Sequence, residues 1–401
     1  MSRSSAIVIG KRLFLSADEG ENLLLLAFDV RTGKRLWRYS MRRSRRNEID
    51  GARNDPASPT PATDGQAVYA FFHDFGLIAL SLDGKELWKL PLGPFPNNYG
   101  MGASPILHGE SLFLQCDQLH GSFLLSVAKR TGKVRWRTPR PKVLEGWATP
   151  LVLPKSGELV TVSSNGVESF DLETGKGKWA LPANDGIMIP TPITDGKILI
   201  ATIRGSDQPT FPAWDDTAKE LDSDQDGKLT PKEVSKRYNI GSFGIADNDR
   251  DGYVVETEWN RFRNRGVGEF GITAIRLADK NVVWRYKRSL PYVPSPVLYR
   301  DVVYSVRSGG IITAIDLETG LLLKEGRAPG ALGDYFASPV AADGMIYLAN
   351  AEGKVTVIKA GPQWEVLAVN DLGDSISASP TIADGAIFIR TNSKLYCFRQ
   401  N

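Results

Sequence analysis

Residues 149–179 read TPLVLPKSGELVTVSSNGVESFDLETGKGKW. The stretch opens on Thr149-Pro150 and runs through an alternating apolar segment to a glycine turn. Second and third apolar segments follow, the latter ending at Asp171. The turn Asp171-Leu-Glu-Thr-Gly175-Lys then leads into a last segment that carries Trp179. Asp and Thr side chains hydrogen-bond a turn backbone, and Gly supplies a positive φ. Short alternating runs bounded by such turns read as β-strands. The stretch is therefore one antiparallel unit of four strands.

The unit recurs along the chain. Ser/Thr-Pro pairs end at Pro59, Pro105, Pro150, Pro192, Pro296, Pro339 and Pro380, with steps of 46, 45, 42, 104, 43 and 41 residues. Ser5-Ala6 is a degenerate earlier copy. Tryptophans mark the other end of the unit at Trp37, Trp88, Trp136, Trp179 and Trp284, stepping by 51, 48, 43 and 105. The turn itself repeats as Asp29-Val-Arg-Thr-Gly33-Lys and Asp316-Leu-Glu-Thr-Gly320. Four residues after its Gly, the Trp is placed to pack between neighbouring units. In the sixth and seventh units this position holds Lys324 and Leu367, so those units are expected to dock less tightly. Four strands per period of ~40–45 residues indicate a β-propeller. The count gives an all-β, eight-bladed propeller. Its last blade, from Ser379-Pro380 to Leu395-Tyr396-Cys397-Phe398, has only three strands. In propellers the N-terminus commonly supplies the missing strand, yet Met1–Gly10 leads straight into blade one with only Ala6–Ile9 apolar. The expectation is a closing strand and an export signal upstream of this start, with an open edge on blade eight.

Both ladders contain one step that is too long, in the same blade. The extra residues, 205–269, divide the propeller into 1–204 and 270–401 and fall between the second and third strands of blade five. Within them lie two matches to the EF-hand loop. The first has Asp222, Asp224, Asp226, Gly227, Lys228 and Glu233 at positions 1, 3, 5, 6, 7 and 12. The second has Asp247, Asp249, Asp251, Gly252, Tyr253 and Glu258. Ca²⁺ takes roughly 6–8 oxygen ligands: carboxylates at 1, 3 and 5, the carbonyl of residue 7, and both oxygens of the Glu at 12. Lys228 and Tyr253 thus contribute carbonyls only, and two Ca²⁺ ions are expected. Thirteen residues, Val234–Ala246, separate the loops. At about 1.5 Å rise per residue they cannot hold two full helices. Such a pair suits structural or buffering calcium better than a groove-opening switch. An insert at this point emerges on the face that carries the links between blades and the mouth of the central funnel.

Composition narrows the function. Net charge is +3 over 401 residues, which gives no reason to expect nucleic acid as a partner. No apolar run is long enough to span a bilayer as a helix. Cys116 and Cys397 form neither a disulfide framework nor a zinc pattern, and His73, His108 and His120 lack metal-ligand spacing. Arg42, Arg43, Arg45 and Arg46 read as a solvated basic run on an inter-blade link. The segments before each Ser/Thr-Pro enter the funnel mouth. They place Arg53, Asn54, Tyr99, Trp147, Tyr292 and Tyr335 as candidate ligand contacts, with Glu145 and Phe336 beside them.

The Ser/Thr-Pro, Asp-x-x-Thr-Gly and Trp pattern resembles the PQQ-like repeat propellers, which include quinoprotein dehydrogenases and the outer-membrane assembly lipoprotein BamB. The resemblance covers nearly the whole chain outside the insert. It implies an extracytoplasmic, periplasmic location and a monomer if the ring closes. It also implies two kinds of function. One is a non-enzymatic binding or scaffold protein of the cell envelope, engaging a protein or polysaccharide. The other is a PQQ- and calcium-dependent dehydrogenase or a polysaccharide-acting enzyme. The family's alcohol dehydrogenases hold the quinone against a disulfide between adjacent cysteines, and this chain has no adjacent pair. PQQ is therefore not expected, and the binding-protein reading is preferred.

Overall fold

The structure is a computed structural model that describes residues 3–44, 54–183, 186, 188–238, 240–247, 249 and 251–399, with residues 240–242 described by their backbone alone. Eight separate antiparallel sheets follow one another in chain order, seven of four strands and the last of three. Blade four shows the pattern: strands Leu151–Leu153, Glu158–Ser163, Gly166–Asp171 and Gly177–Pro182 pair in sequence. The second strand of each blade lies between two neighbouring blades, so both of its faces are covered. This explains why Ala67–Phe72, Ser111–Cys116 and Glu158–Ser163 are buried at every residue. The outermost strands, such as Val134–Pro139, instead alternate towards solvent. Seven blades carry a register shift between their third and fourth strands, just before the position the tryptophans mark. Such a bulge increases local twist and turns the outer strand.

The blades are tied at the axis by one repeated hydrogen bond. The residue before each inner strand donates its backbone N–H to the side-chain hydroxyl of its counterpart in the next blade. The series runs Ser5, Thr60, Ser104, Thr149, Thr191, Ser295, Ser338 and Ser379, then returns to Ser5, with N···O distances of 2.9–3.3 Å. Each series member except Ser5 is followed by Pro. Proline holds the preceding residue extended and brings no N–H of its own to satisfy. Blade two corrects the sequence ladder, because its series member is Thr60 before Pro61. Ser58, before Pro59, instead accepts the Asp55 N–H at 2.8 Å.

A second contact repeats at the rim. Trp37, Trp88, Trp136 and Trp284 each donate their indole N–H to a carbonyl in the following blade's turn: Leu82, Lys129, Leu172 and Leu317. Each ring lies on that turn's glycine. A Cβ added at Gly84, Gly132, Gly175 or Gly320 would come within 2.5–2.8 Å of the ring in front of it. Glycine is thus required twice there, for positive φ and for the tryptophan. Trp179 departs from the rule. The turn of blade five has Lys280 at φ +63° in place of Gly, its ammonium lies over the Trp179 ring, and the indole donates to Glu158 within its own blade. In blade six, Lys324 donates to the Trp364 carbonyl and lies over that ring.

Between blades eight and one, a Cβ at Gly33 meets nothing within 4 Å among the described residues. Arg390 ties this seam instead, donating to the Ser4 carbonyl, the Ser4 hydroxyl and the Ser16 carbonyl. Burial lowers its pKa to about 10, against the opposing pull of Asp55 and Asp18. The Thr381 hydroxyl donates to the Ala6 carbonyl at 2.7 Å. Arg43 likewise departs from the solvated basic run. It is nearly buried between blades one and two, bridging Asp18 and Asp74 at 2.9 Å each. Arg45 and Arg46 lie outside the described residues.

The rim contact makes a matched pair of variants informative. Gly33 and Gly175 share a φ near +67° but differ in what a methyl group would meet. Gly33→Ala is expected to cost only the left-handed backbone term, about 1–2 kcal/mol. Gly175→Ala adds overpacking against Trp136 and the Thr138 hydroxyl, about a further 1–3 kcal/mol. Denaturant unfolding of both variants measures the difference, and equal losses would show that the ring-on-glycine contact does not constrain the turn.

Candidate functional site: the helical insert and the central cavity

The insert leaves blade five after strand Ile198–Ile203 and returns at strand Gly271–Arg276. Its described residues form four short helices: α1 (Trp214–Leu221), α2 (Pro231–Val234), α3 (Ile240–Ala246) and α4 (Glu256–Arg263). They enclose a small core of their own, with Leu221, Leu229, Val234, Phe243, Val254, Trp259 and Phe262 buried and Phe211 packed against it. Among the described residues, the segment between the two acidic loops holds only the last residue of α2 and the seven-residue α3, as its length requires. At the neck, Ser206 N–H donates to Gly266 O at 2.8 Å and Gly268 N–H donates back to Ser206 O at 3.1 Å.

At their described residues the two acidic loops share several backbone hydrogen bonds. Leu229 and Val254 exchange N–H···O bonds of 2.9 Å each, which joins the loops side by side. In the first loop Gly227 N–H donates to Asp222, and in the second Gly252 N–H donates to Asp247. Lys228 N–H and Tyr253 N–H donate to Asp226 and Asp251. Gly227 and Gly252 have φ of +78° and +89°, the sharp turn demanded at position 6. Carboxylate oxygens of Asp222, Asp224 and Asp226 gather within 4.8 Å of one another, and so do those of Asp247, Asp249 and Glu258. Glu233 stands slightly apart. Its carboxylate accepts Thr230 N–H, the Thr230 hydroxyl and Ser223 N–H. These bonds, led by that of the Thr230 backbone, lower its pKa to about 2. A set of gathered carboxylate oxygens of this kind fits a hard cation.

Near the axis lies a cavity of about 330 Å³. The series hydroxyls of Ser5, Thr60, Ser104, Thr149, Thr191, Ser338 and Ser379 line it. Each uses its oxygen as acceptor for a backbone N–H, and among the described residues none of their O–H protons has a protein acceptor. The wall therefore presents donors to whatever fills the cavity.

Of the residues expected at the funnel, Asn54, Tyr99, Trp147 and Tyr292 line this cavity. Trp147 donates its indole N–H to Gly100 O at 2.7 Å and rests against Gly102. Tyr99 lies 5.8 Å from it, ring to ring. The Arg204 guanidinium sits 4.2 Å over the Tyr292 ring. Arg53 lies outside the described residues. Tyr335 is corrected: it is buried in the core between blades six and seven, and its hydroxyl donates to Ala331 O at 2.8 Å. Its neighbour Phe336 faces the cavity instead. Sequence reasoning missed Arg3, Ile245 and Arg265. The last two come from the insert, which forms part of the wall.

Glu145 borders both this cavity and a second one, of about 310 Å³, between the insert and blade three. It accepts Asn98 N–H at 2.8 Å and the Asn98 side-chain amide at 3.1 Å. Burial raises its pKa, partly offset by the Asn98 backbone bond and the charge of Arg265.

These features define a propeller of PQQ-like repeats with a helical insert at its central cavity. The family described as outer membrane protein assembly factor BamB matches residues 2–181, 60–218 and 245–401, and the chain belongs to that family. Curated proteins give no sequence match. Similar solved structures include BamB from Moraxella catarrhalis, 13% identical with a TM-score of 0.63, covering 98% of this chain and 92% of that one. Quinohemoprotein alcohol dehydrogenase from Comamonas testosteroni is 13% identical with a TM-score of 0.60, covering 97% and 70%. A europium-containing methanol dehydrogenase is 13% identical with a TM-score of 0.56, covering 98% and 81%. At these identities the likeness is one of fold. Among the described residues no helix is long and apolar enough to cross a membrane.

A carboxyl group with a raised folded-state pKa binds its proton more tightly in the folded than in the unfolded chain. Its contribution to stability is complete below the ordinary glutamate value and is lost as pH rises through the raised one. Glu145→Gln should remove that loss. The stability difference between wild type and variant is expected to change across this pH interval, with the variant gaining at the upper end. A difference that stays constant with pH would show that Glu145 ionises without penalty.

Proposed function

We propose that this protein is a calcium-loaded propeller of the cell envelope that binds a partner or ligand at its central cavity. The observation that carries the reading is the pair of loops with complete EF-hand donor sets, each with three carboxylates drawn together. Asp222, Asp224, Asp226, the Lys228 carbonyl and Glu233 would hold one Ca²⁺. Asp247, Asp249, Asp251, the Tyr253 carbonyl and Glu258 would hold the other. The donor wall of ring hydroxyls, flanked by Arg3, Arg265 and the aromatic rings of Tyr99, Trp147 and Phe336, suits an acceptor-rich ligand such as an exposed protein segment or a saccharide. Membership of the BamB family supports an extracytoplasmic location and a scaffold role.

The fold is shared with quinoprotein dehydrogenases, but the cysteines of this chain do not support that chemistry. Cys116 is buried within blade three and Cys397 lies exposed on blade eight, so no adjacent pair faces the cavity. Calorimetry on metal-stripped protein should give close to two Ca²⁺ per chain, and Glu233→Gln combined with Glu258→Gln should abolish the binding. Calcium binding that survives the double variant would sink the assignment. Dye-linked turnover after reconstitution with PQQ and Ca²⁺ would replace the binding-protein reading with the dehydrogenase one.

A further inference from the structure

The second loop is flanked by two residues of the central cavity's wall, and its first carboxylate borders the neighbouring cavity. Ile245 lines that cavity and lies two residues before Asp247, the loop's first carboxylate. Arg265 lines it too, just beyond the end of α4, the helix that carries Glu258. Asp247 itself is buried and borders the second cavity, which Ile245, Arg265, Leu144 and Glu145 also border. The first loop contributes no residue to either cavity. We infer that calcium in the second loop controls access to the central cavity, by holding α3 and α4 so that Ile245 and Arg265 stay in its wall. This inference rests on the proposed calcium binding.

The physical reason lies in how unequally the two helices are anchored. α4 is fixed without metal. Trp259 Nε1 donates to Pro212 O at 3.0 Å, Arg263 Nε donates to Phe211 O at 3.0 Å, and the neck bonds through Ser206 follow directly. α3 is seven residues long, too short to persist by its own hydrogen bonds. Its C-terminal end runs into the loop through Asp247 N–H to Phe243 O. Asp247, at the end of α3, faces Glu258, on α4, across the gathered carboxylates. Without a cation these like charges repel and drive α3 away from α4. With Ca²⁺ between them the same charges become shared ligands and clamp the two helices. No groove has to open between the helices, so the short helices do not preclude the effect. A ligand that needs the closed wall would bind together with calcium, and by linkage each would tighten the other.

Thiol labelling tests this directly. Tyr99→Cys reports on the central cavity and Leu144→Cys on the space beneath the insert, both with Cys397→Ser to remove the exposed native thiol. The probe is a sulfonate-bearing methanethiosulfonate reagent, and calorimetry on the same samples records calcium binding. Calcium is expected to slow labelling at both positions by about tenfold. The effect should vanish with Glu258→Gln and with Asp249→Asn, which alters the exposed side of the same loop. It should persist at saturating calcium with Glu233→Gln. Calcium binding without any change in labelling would overturn the coupling while leaving the calcium sites intact. An equal loss of protection from variants in either loop would overturn the assignment to the second loop. No calcium binding at all would overturn both this inference and the function on which it rests.

Discussion

The architecture depends on the closed series of N–H···Oγ bonds around the axis. Each is worth only about 1 kcal/mol net, but each joins one blade to the next at the narrowest part of the molecule. Together they set the radius at which the eight sheets converge. The rim contact completes the geometry. A tryptophan wedged on the next blade's glycine fixes the angle between blades, as the hydroxyl series fixes their separation. Both are short-range, directional and repeated, so a single unit specifies the whole ring once it is copied. The seam between blades eight and one shows how the two contacts divide the work. Among the described residues, the hydroxyl bond is kept there without a tryptophan beside it, and the buried guanidinium of Arg390 reaches across to backbone carbonyls.

The same series gives the cavity its chemistry. A Ser or Thr hydroxyl that accepts a backbone N–H still carries a proton to donate. Closing the ring by this device therefore leaves a polar wall of donors on the axis. The fold and the cavity wall share the same residues, and replacing the hydroxyls by apolar side chains would alter both at once. The insert adds what eightfold repetition cannot supply: a charged and apolar wall element, Arg265 with Ile245, on one side only.

Much of this was legible in the sequence, because the deciding signals are local. Ser/Thr-Pro, Asp-x-x-Thr-Gly and Trp each sit within a few residues of the structure they impose, so blade number, insert position and the three-stranded last blade could all be read from their spacing. The misreadings share a different origin. Ser58-Pro59-Thr60-Pro61 offers two dipeptides of the same Ser/Thr-Pro type, and only the distance to Ser104 in the next blade selects Thr60. Tyr335 and Phe336 are adjacent aromatics in the link between two strands, where strand alternation no longer says which one faces the core. Arg43 looked like part of a solvated run because its partners, Asp18 and Asp74, are remote in sequence. Arg265 was invisible for the same reason, since it reaches the cavity only through the docking of the insert. Long-range pairing, unlike turn chemistry, leaves no mark in a window of ten residues.

The proposed docking of the insert at the central cavity by calcium is tested most directly by hydrogen–deuterium exchange of the whole chain with and without calcium. The account predicts that calcium slows exchange in α3 and α4 and also in the propeller segments beneath them, around Leu119–His120 and Leu144–Trp147, while blades six to eight are unchanged. Slowing confined to the insert would contradict it, because the insert would then bind metal without bearing on the cavity. Slowing spread evenly over all eight blades would contradict it too, because calcium would then be stabilising the ring itself.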